Sequence, residues 1–218
     1  RGHSSTSAHY EPMREVINLT KMRGAGCTAH EWFIALDDRL AKWCGIDDGS
    51  FASVAYDNHS DVLPQAFVKL AASMKKDANG NLTDYYRGSR TFARYFAKNG
   101  HSQWNDTTDM LARAFACYVK DVLGYKSDYL IAHADCYELE YENQHLCAIP
   151  QGEERELYNE LFDQLFYELK EMGLLHQRPY KATTPAIVQT PVVFKTANAA
   201  SPIYKVVESS GGQFRLVL

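Results

Sequence analysis

The residues of this sequence best suited to chemistry are His30 and Glu31, which stand side by side in an apolar stretch. From Ala29 to Leu36 they are the only ionisable residues, and a helix there is apolar on nearly every side. Taking a carboxylate out of water costs several kcal/mol unless it is paired or coordinated. Either a metal site or a set of structural hydrogen bonds must therefore hold this pair.

The metal interpretation starts from the motif His-Glu-x-x-His, in which two histidines one helical turn apart bind zinc. The glutamate of that motif polarises the metal-bound water. His30 and Glu31 match its first two positions, as metal ligand and catalytic base, but the fifth position is Ile34. Because an isoleucine side chain has no lone pair, the sequence predicts a metal site without its second histidine.

The structural interpretation needs no metal. In it, His30 hydrogen-bonds a backbone carbonyl and Glu31 pairs with a buried arginine or lysine. A His-Glu pair is a weak signal by itself, and this stretch alone favours neither interpretation over the other.

The elements that position the pair follow from apolar periodicity and turn residues. A strand at 15–22 leads through a glycine turn at 23–26 into a helix at 28–44, with Thr28 as a potential N-cap and Gly45 ending it. Further helices are predicted at 63–76, 83–98, 107–123 and 153–172. Loops are predicted at 46–61, a turn at 77–81 and irregular structure at 125–152. Extended structure is predicted at 186–195, and a hairpin at 203–207 and 214–218.

Composition limits the class of protein. A net charge of −4 without a basic cluster argues against nucleic acid as a partner. Five cysteines, an odd number without a Cys-x-x-Cys motif, argue against a disulfide framework. No run of about 18 apolar residues is present, so no membrane span is predicted. We expect a cytoplasmic protein of the α+β class, with one domain over 1–178 and an extended arm or hairpin over 179–218.

Several blocks of sequence also resemble a known family. They are 16–26, Ala29-His-Glu-Trp32 with Ala35-Leu-Asp37, Met110-Leu-Ala-Arg-Ala-Phe-Ala-Cys-Tyr-Val119, Ser127-Asp-Tyr-Leu130 and Pro150-Gln-Gly-Glu-Glu-Arg155. Together they resemble large polyvalent protein-associated domain 1, a domain of large proteins from phages and mobile elements. The resemblance runs in unbroken order over roughly residues 9–172, and the C-terminal forty-odd residues lie outside it.

The resemblance implies a mainly helical, zincin-like metallopeptidase domain with a small sheet. Its third metal ligand is a glutamate, and Asp109 stands at that position here. Asp109 has an equally good structural explanation, because it lies in the first turn of a predicted helix and can pair with Arg113. Asp37, two turns after His30, and Cys27, three residues before it, are substitute ligands in a rescued site. The expected cofactor is therefore none, or residual zinc.

Function follows as a set of hypotheses, and whether the chain is an enzyme stays open. The first is a metallopeptidase-like domain with an inactivated metal site, which binds a peptide or protein such as a host factor in a bacterial cell. An extended peptide would add to the strand at 15–22, beside the helix at 28–44. The second hypothesis is an active zinc-dependent hydrolase with substitute ligands, and the third is a structural spacer.

Overall fold

A computed structural model describes residues 8–20, 24–96, 103–124, 127–134, 137–141, 143–175, 205–209 and 213–217. Its α-helices are α1 (Thr28–Trp43), α2 (Ala52–Ala55), α3 (Gln65–Ser73), α4 (Asp84–Phe96), α5 (Thr107–Asp121), α6 (Asp128–Ile131) and α7 (Gly152–Glu171), with a 3-10 turn at Ala132–Ala134. Its strands are β1 (Ala8–Glu11), β2 (Val16–Leu19), β3 (Glu138–Tyr141), β4 (Gln144–Cys147), β5 (Lys205–Ser209) and β6 (Gln213–Val217). The expected mainly helical fold with small sheets is confirmed. None of the described helices is long and apolar enough to cross a bilayer.

Helix α5 lies at the centre of the core. Its residues from Met110 to Val119 are buried all round, which explains why this segment is almost continuously apolar. The rings of Phe33 on α1, Phe115 on α5 and Phe162 on α7 meet with centroid distances of 5.0, 5.4 and 5.5 Å. This aromatic contact holds α1, the helix that carries His30, against α5.

The predicted limits of α1 agree closely with the structure. Cys27 occupies the N-cap position without a side-chain capping bond, so Thr28 is the first helical residue rather than the cap. Gly45 follows the helix with a φ of 75°, a left-handed conformation that glycine adopts without strain. Before the helix, the Gly26 N–H donates to the Tyr129 carbonyl at 2.9 Å.

A four-stranded antiparallel sheet has the order β1-β2-β6-β5. The predicted strand at 15–22 is β2, although shorter, and the predicted C-terminal hairpin is β5 and β6. Strand β2 packs on α1 through Ile17, which is buried against Ala35. Since β2 pairs with β1 on one edge and with β6 on the other, neither of its edges is open.

Several short elements were not predicted. They are β1, helix α2 in the expected loop, and helix α6, the 3-10 turn and the β3–β4 hairpin in the expected irregular region. Each helix, turn or strand among them has only three or four residues, too few positions to show a period. The predicted extended segment at 186–195 lies outside the described residues.

Candidate functional site

His30 and Glu31 lie in the first turn of α1, each only 7% exposed. The imidazole Nε2 of His30 lies 3.2 Å from Oδ1 of Asp109, in the first turn of α5. The tight packing of α1 on α5 thus brings together two of the residues that the resemblance connected. Their contact is a direct pairing of imidazole and carboxylate.

The other oxygen of Asp109 is bound by Arg113, one turn further along α5. This ion pair is the structural explanation of Asp109 given above. Arg113 is only 1% exposed, so its charge is in the protein interior. Its remaining donors bind the Ala148 carbonyl at 2.8 Å, the Ser89 hydroxyl at 3.0 Å and the Trp104 carbonyl at 2.6 Å.

Aromatic rings complete the surroundings of Arg113. Its guanidinium carbon lies 5.6 Å from the ring centroid of Tyr85 and 5.1 Å from that of Trp104. An arginine keeps its proton in proteins, and a buried one needs both hydrogen bonds and an anion. Asp109 is the anion that this site supplies.

The electrostatics of Asp109 follow from these neighbours. Burial by itself would raise the pKa of the Asp109 carboxyl, but the positive charge of Arg113 and the hydrogen bond with His30 outweigh it. The pKa of Asp109 therefore lies below its ordinary value. This carboxylate stays ionised at neutral pH and is compensated by Arg113 within the protein.

Glu31 has a different partner from the one that the structural interpretation predicted. Its carboxyl group accepts a hydrogen bond from the backbone N–H of Tyr10, on β1, rather than from an arginine or lysine side chain. Burial raises the pKa of Glu31, and the negative charge of Asp109 acts in the same direction. Glu31 thus connects the edge strand β1 to α1.

Asp37 is fully buried and belongs to another cluster. Its Oδ1 accepts from the Ser53 N–H at 2.8 Å, and the Ser53 hydroxyl lies 2.6 Å from that of Thr108. Among the residues that the structure describes, none forms a hydrogen bond with its Oδ2 atom. Burial raises the pKa of Asp37 to about 7. Asp37 therefore links α1 with α2 and α5.

The predicted residues do not fit a zinc ion. Ile34 is half-buried and packs on the main core, and Cys27 is buried at the N-cap position of α1. Among the described residues, no group of three or more His, Cys, Asp or Glu side chains could hold a metal. His30 and Asp109 come together, but Asp37 does not join them as a third ligand.

One segment of the chain matches the model of a known protein family. Residues 95–173 match the model of large polyvalent protein-associated domain 1. This segment of the chain is thus similar to that domain. The match includes α5, α6, the β3–β4 hairpin and α7, whereas the blocks at 16–26 and 29–37 precede it. No curated protein and no solved structure matches the chain.

The segment that matches the family model holds most of the surroundings of Arg113. Asp109, Trp104 and Ala148 lie within the matched segment, and Ser89 lies just before it. Sequence analysis identified Arg113 only as a neighbour of Asp109. The signal that marks its larger role is a single arginine in the otherwise uncharged run from Met110 to Val119.

Proposed function

We propose that this polyvalent-protein-associated domain binds a protein partner and does not hydrolyse peptides. The observation that carries the second half of this proposal, the lack of hydrolysis, is the ion pair between Asp109 and the buried Arg113. One oxygen of Asp109 binds Arg113 and the other binds His30, so both are already used within the protein. A metal ion bound by His30 and Asp109 would have to separate these two side chains and share the carboxylate with Arg113.

The energetic cost of that displacement favours inertness. Arg113 cannot lose its proton, and an uncompensated buried charge costs about 3–5 kcal/mol. A metal that took both oxygens of Asp109 would leave Arg113 in this state, whereas one that took only the oxygen facing His30 would gain two ligands at most, because Ile34 contributes none. Weak coordination by His30 and one shared carboxylate does not offset such a loss.

The contact of Glu31 supports the same proposal. A general base must reach the proton that it removes, within about 3 Å or through one water. The Glu31 carboxyl group is instead bonded to the Tyr10 backbone amide and is only 7% exposed. Its role in this proposal is to attach β1 to α1.

Strand addition is the proposed mode of partner binding. An extended peptide cannot simply add to β2 as the sequence suggested, because β1 and β6 cover its edges. The pairing with β6 supports β2 as a strand-accepting element. The proposed setting is the cytoplasm of a bacterial cell, with a host protein as the partner.

Zinc content tests the inert site. Protein purified without an affinity tag and without added zinc is expected to contain far less than one zinc per chain by mass spectrometry. The His30→Ala variant is the matched control and should contain the same trace. One zinc per chain in the unmodified protein, lost in His30→Ala, would contradict the proposal.

Repair of the motif is a sharper version of the same experiment. Ile34→His restores the second histidine, but Arg113 still holds Asp109. We therefore expect no stoichiometric zinc and no cleavage of an unstructured protein such as casein, as in an Ile34→Val control. Stoichiometric zinc in Ile34→His would mean that the ion pair yields to the metal.

A further inference from the structure

One face of α4 carries two arginines beside an aromatic ring. Tyr86, Arg90 and Arg94 follow one another at intervals of four residues, and residues at this spacing lie above one another on a helix. Both arginines are exposed, and Tyr86 is half-buried. The only acidic residue of α4 is Asp84, which is bound by Arg87. The helix therefore has no acidic residue left to compensate Arg90 or Arg94.

A lysine from the chain before α4 adds to this positive charge. The ammonium nitrogen of Lys75, just after α3, lies 5.9 Å from the ring centroid of Tyr86, and the guanidinium carbon of Arg90 lies 5.7 Å from it. In the part of the chain that the structure describes, Lys75, Arg90 and Arg94 form no ion pair with a carboxylate. The charge of Lys75 acts on the Asp106 carboxyl at the start of α5, but the two groups do not pair directly. We call Lys75, Tyr86, Arg90 and Arg94 the α4 stripe.

We propose that the α4 stripe binds a single-stranded nucleic acid. Its three cations pair with phosphates, and an unpaired base stacks on the ring of Tyr86. Cations along the backbone track together with an accessible aromatic ring are typical of sites that bind single strands without reading their sequence. A duplex offers phosphates but hides the faces of its bases. Because the stripe lies on α4, this inference goes beyond the proposed protein partner.

The aromatic ring favours a nucleic acid over an acidic protein segment as the occupant. Acidic side chains offer negative charge to the three cations, but they have no flat group to place on Tyr86. A nucleotide supplies a phosphate and a base together, and the ring of Tyr86 lies against two of the cations. From Tyr86 to Arg94 the stripe extends about 12 Å along the helix, at about 1.5 Å per residue. The site is therefore short, on the order of three phosphates.

The sequence predicted against a nucleic-acid partner because it has no basic cluster. The cations of the α4 stripe are spread from residue 75 to residue 94, so they form no run in the sequence. The Thr83 N–H donates to the Lys75 carbonyl at 3.2 Å, which fixes Lys75 at the start of α4. The net charge of −4 opposes a long polyanion, so we expect binding that weakens strongly with salt.

Fluorescence anisotropy with the full chain and a labelled oligothymidylate of about 12 nucleotides tests the inference. Three phosphate contacts predict that the logarithm of the association constant falls with the logarithm of the salt concentration at a slope of about −2. Arg90→Gln/Arg94→Gln leaves one cation in the stripe. We therefore expect a slope of about −0.7 in this variant, and an affinity at about 50 mM NaCl that is at least about tenfold lower.

The matched control removes the same charge elsewhere. Arg14 in the turn between β1 and β2 and Lys170 on α7 are both exposed. The variant Arg14→Gln/Lys170→Gln should keep the affinity within about twofold, because salt screens charges far from the bound strand. No binding by the unmodified chain, or equal losses of affinity in the two double variants, would overturn the inference.

Two further measurements separate a stacked base from simple charge attraction. Tyr86→Leu should weaken oligothymidylate binding at least about fivefold without changing the salt slope, whereas Tyr86→Phe keeps the ring and should bind as the unmodified chain does. An unlabelled poly-glutamate peptide of about 12 residues should compete at least about tenfold less well than unlabelled oligothymidylate. Unchanged affinity of Tyr86→Leu would remove the nucleic acid from Tyr86. Equal competition by the peptide would make the stripe a docking surface for an acidic protein, and either result overturns the inference.

Discussion

At the scale of single residues, Arg113 is the charge that organises the candidate site. It is buried between two aromatic rings, bonded to two backbone carbonyls and a hydroxyl, and neutralised by Asp109. Through Asp109 it also reaches His30 on α1. The polar residues of the apolar stretch in α1 are thus held by partners on other elements.

Removal of Arg113 should be costly. Arg113→Met removes the charge that compensates the half-buried Asp109 and leaves the hydrogen-bond partners of the guanidinium unpaired, and we expect the free energy of unfolding to fall by about 2–4 kcal/mol. Urea unfolding followed by circular dichroism measures this. Arg94→Met, an exposed arginine on α4, is the control and should change stability by less than about 0.5 kcal/mol. Similar losses of unfolding free energy in the two variants would show that the Asp109–Arg113 ion pair contributes no more to stability than an exposed arginine does.

Asp37 should make stability depend on pH. Because its folded-state pKa is raised from 3.8 to about 7, the folded protein binds this proton more tightly than the unfolded chain does. Its contribution to stability is complete below about pH 4 and is lost as the pH rises through about 7. Over that window the expected loss is ~1.4 kcal/mol per pH unit.

The neutral variant Asp37→Asn tests this prediction. It keeps an oxygen for the Ser53 N–H and cannot ionise, so the fall in stability between pH 5 and pH 8 should become smaller than in the unmodified protein. Urea unfolding at each pH gives the free energy of unfolding, and its slope against pH is compared between the variant and the unmodified protein. Parallel curves for the two proteins would mean that Asp37 has an ordinary pKa.

At the scale of elements, close contact between α4 and β4 limits the sequence at Gly88. A Cβ atom at this position would overlap the Cys147 backbone carbonyl oxygen. Helix propensity alone predicts that alanine in the interior of a helix is about 1 kcal/mol better than glycine. The overlap with the Cys147 carbonyl oxygen predicts instead that alanine at position 88 is less stable than glycine.

Gly88→Ala should therefore destabilise the protein by about 1–3 kcal/mol, the usual cost of overpacking. Thermal or urea unfolding gives the sign directly. A stabilised Gly88→Ala variant would show that α4 and β4 move apart at little cost, and that the helix propensity of alanine outweighs their contact. Arg94→Ala on the same helix removes only an exposed side chain and controls for general effects of substitution in α4.

The long helices were predicted well because each presents many residues to the core. Helix α7 was expected at 153–172 and lies at Gly152–Glu171, and α5 was expected at 107–123 and lies at Thr107–Asp121. In contrast, β1, β3 and β4 have only four residues each. Their pairing in hairpins, rather than their own periodicity, makes them strands.

At the scale of the whole molecule, the family match and the core have different limits. The match covers residues 95–173, but the main core includes buried residues from Ala29 on α1 to Leu169 on α7. Helices α1 and α3 contribute to the same core as the matched segment. The segment recognised as the polyvalent-protein-associated domain is therefore packed together with the chain that precedes it.

The sequence by itself determined the main helices, the apolar α1 with its His-Glu pair, the isoleucine at position 34 where a His-Glu-x-x-His motif has histidine, and the resemblance that the match over 95–173 supports. These are local features, since periodicity and motif spacing lie within one element. Only the tertiary structure decided that Asp109 is shared by Arg113 and His30, that Glu31 is bonded to β1 and that both edges of β2 are covered. Each of these depends on which atoms of distant segments meet, and no local pattern encodes that.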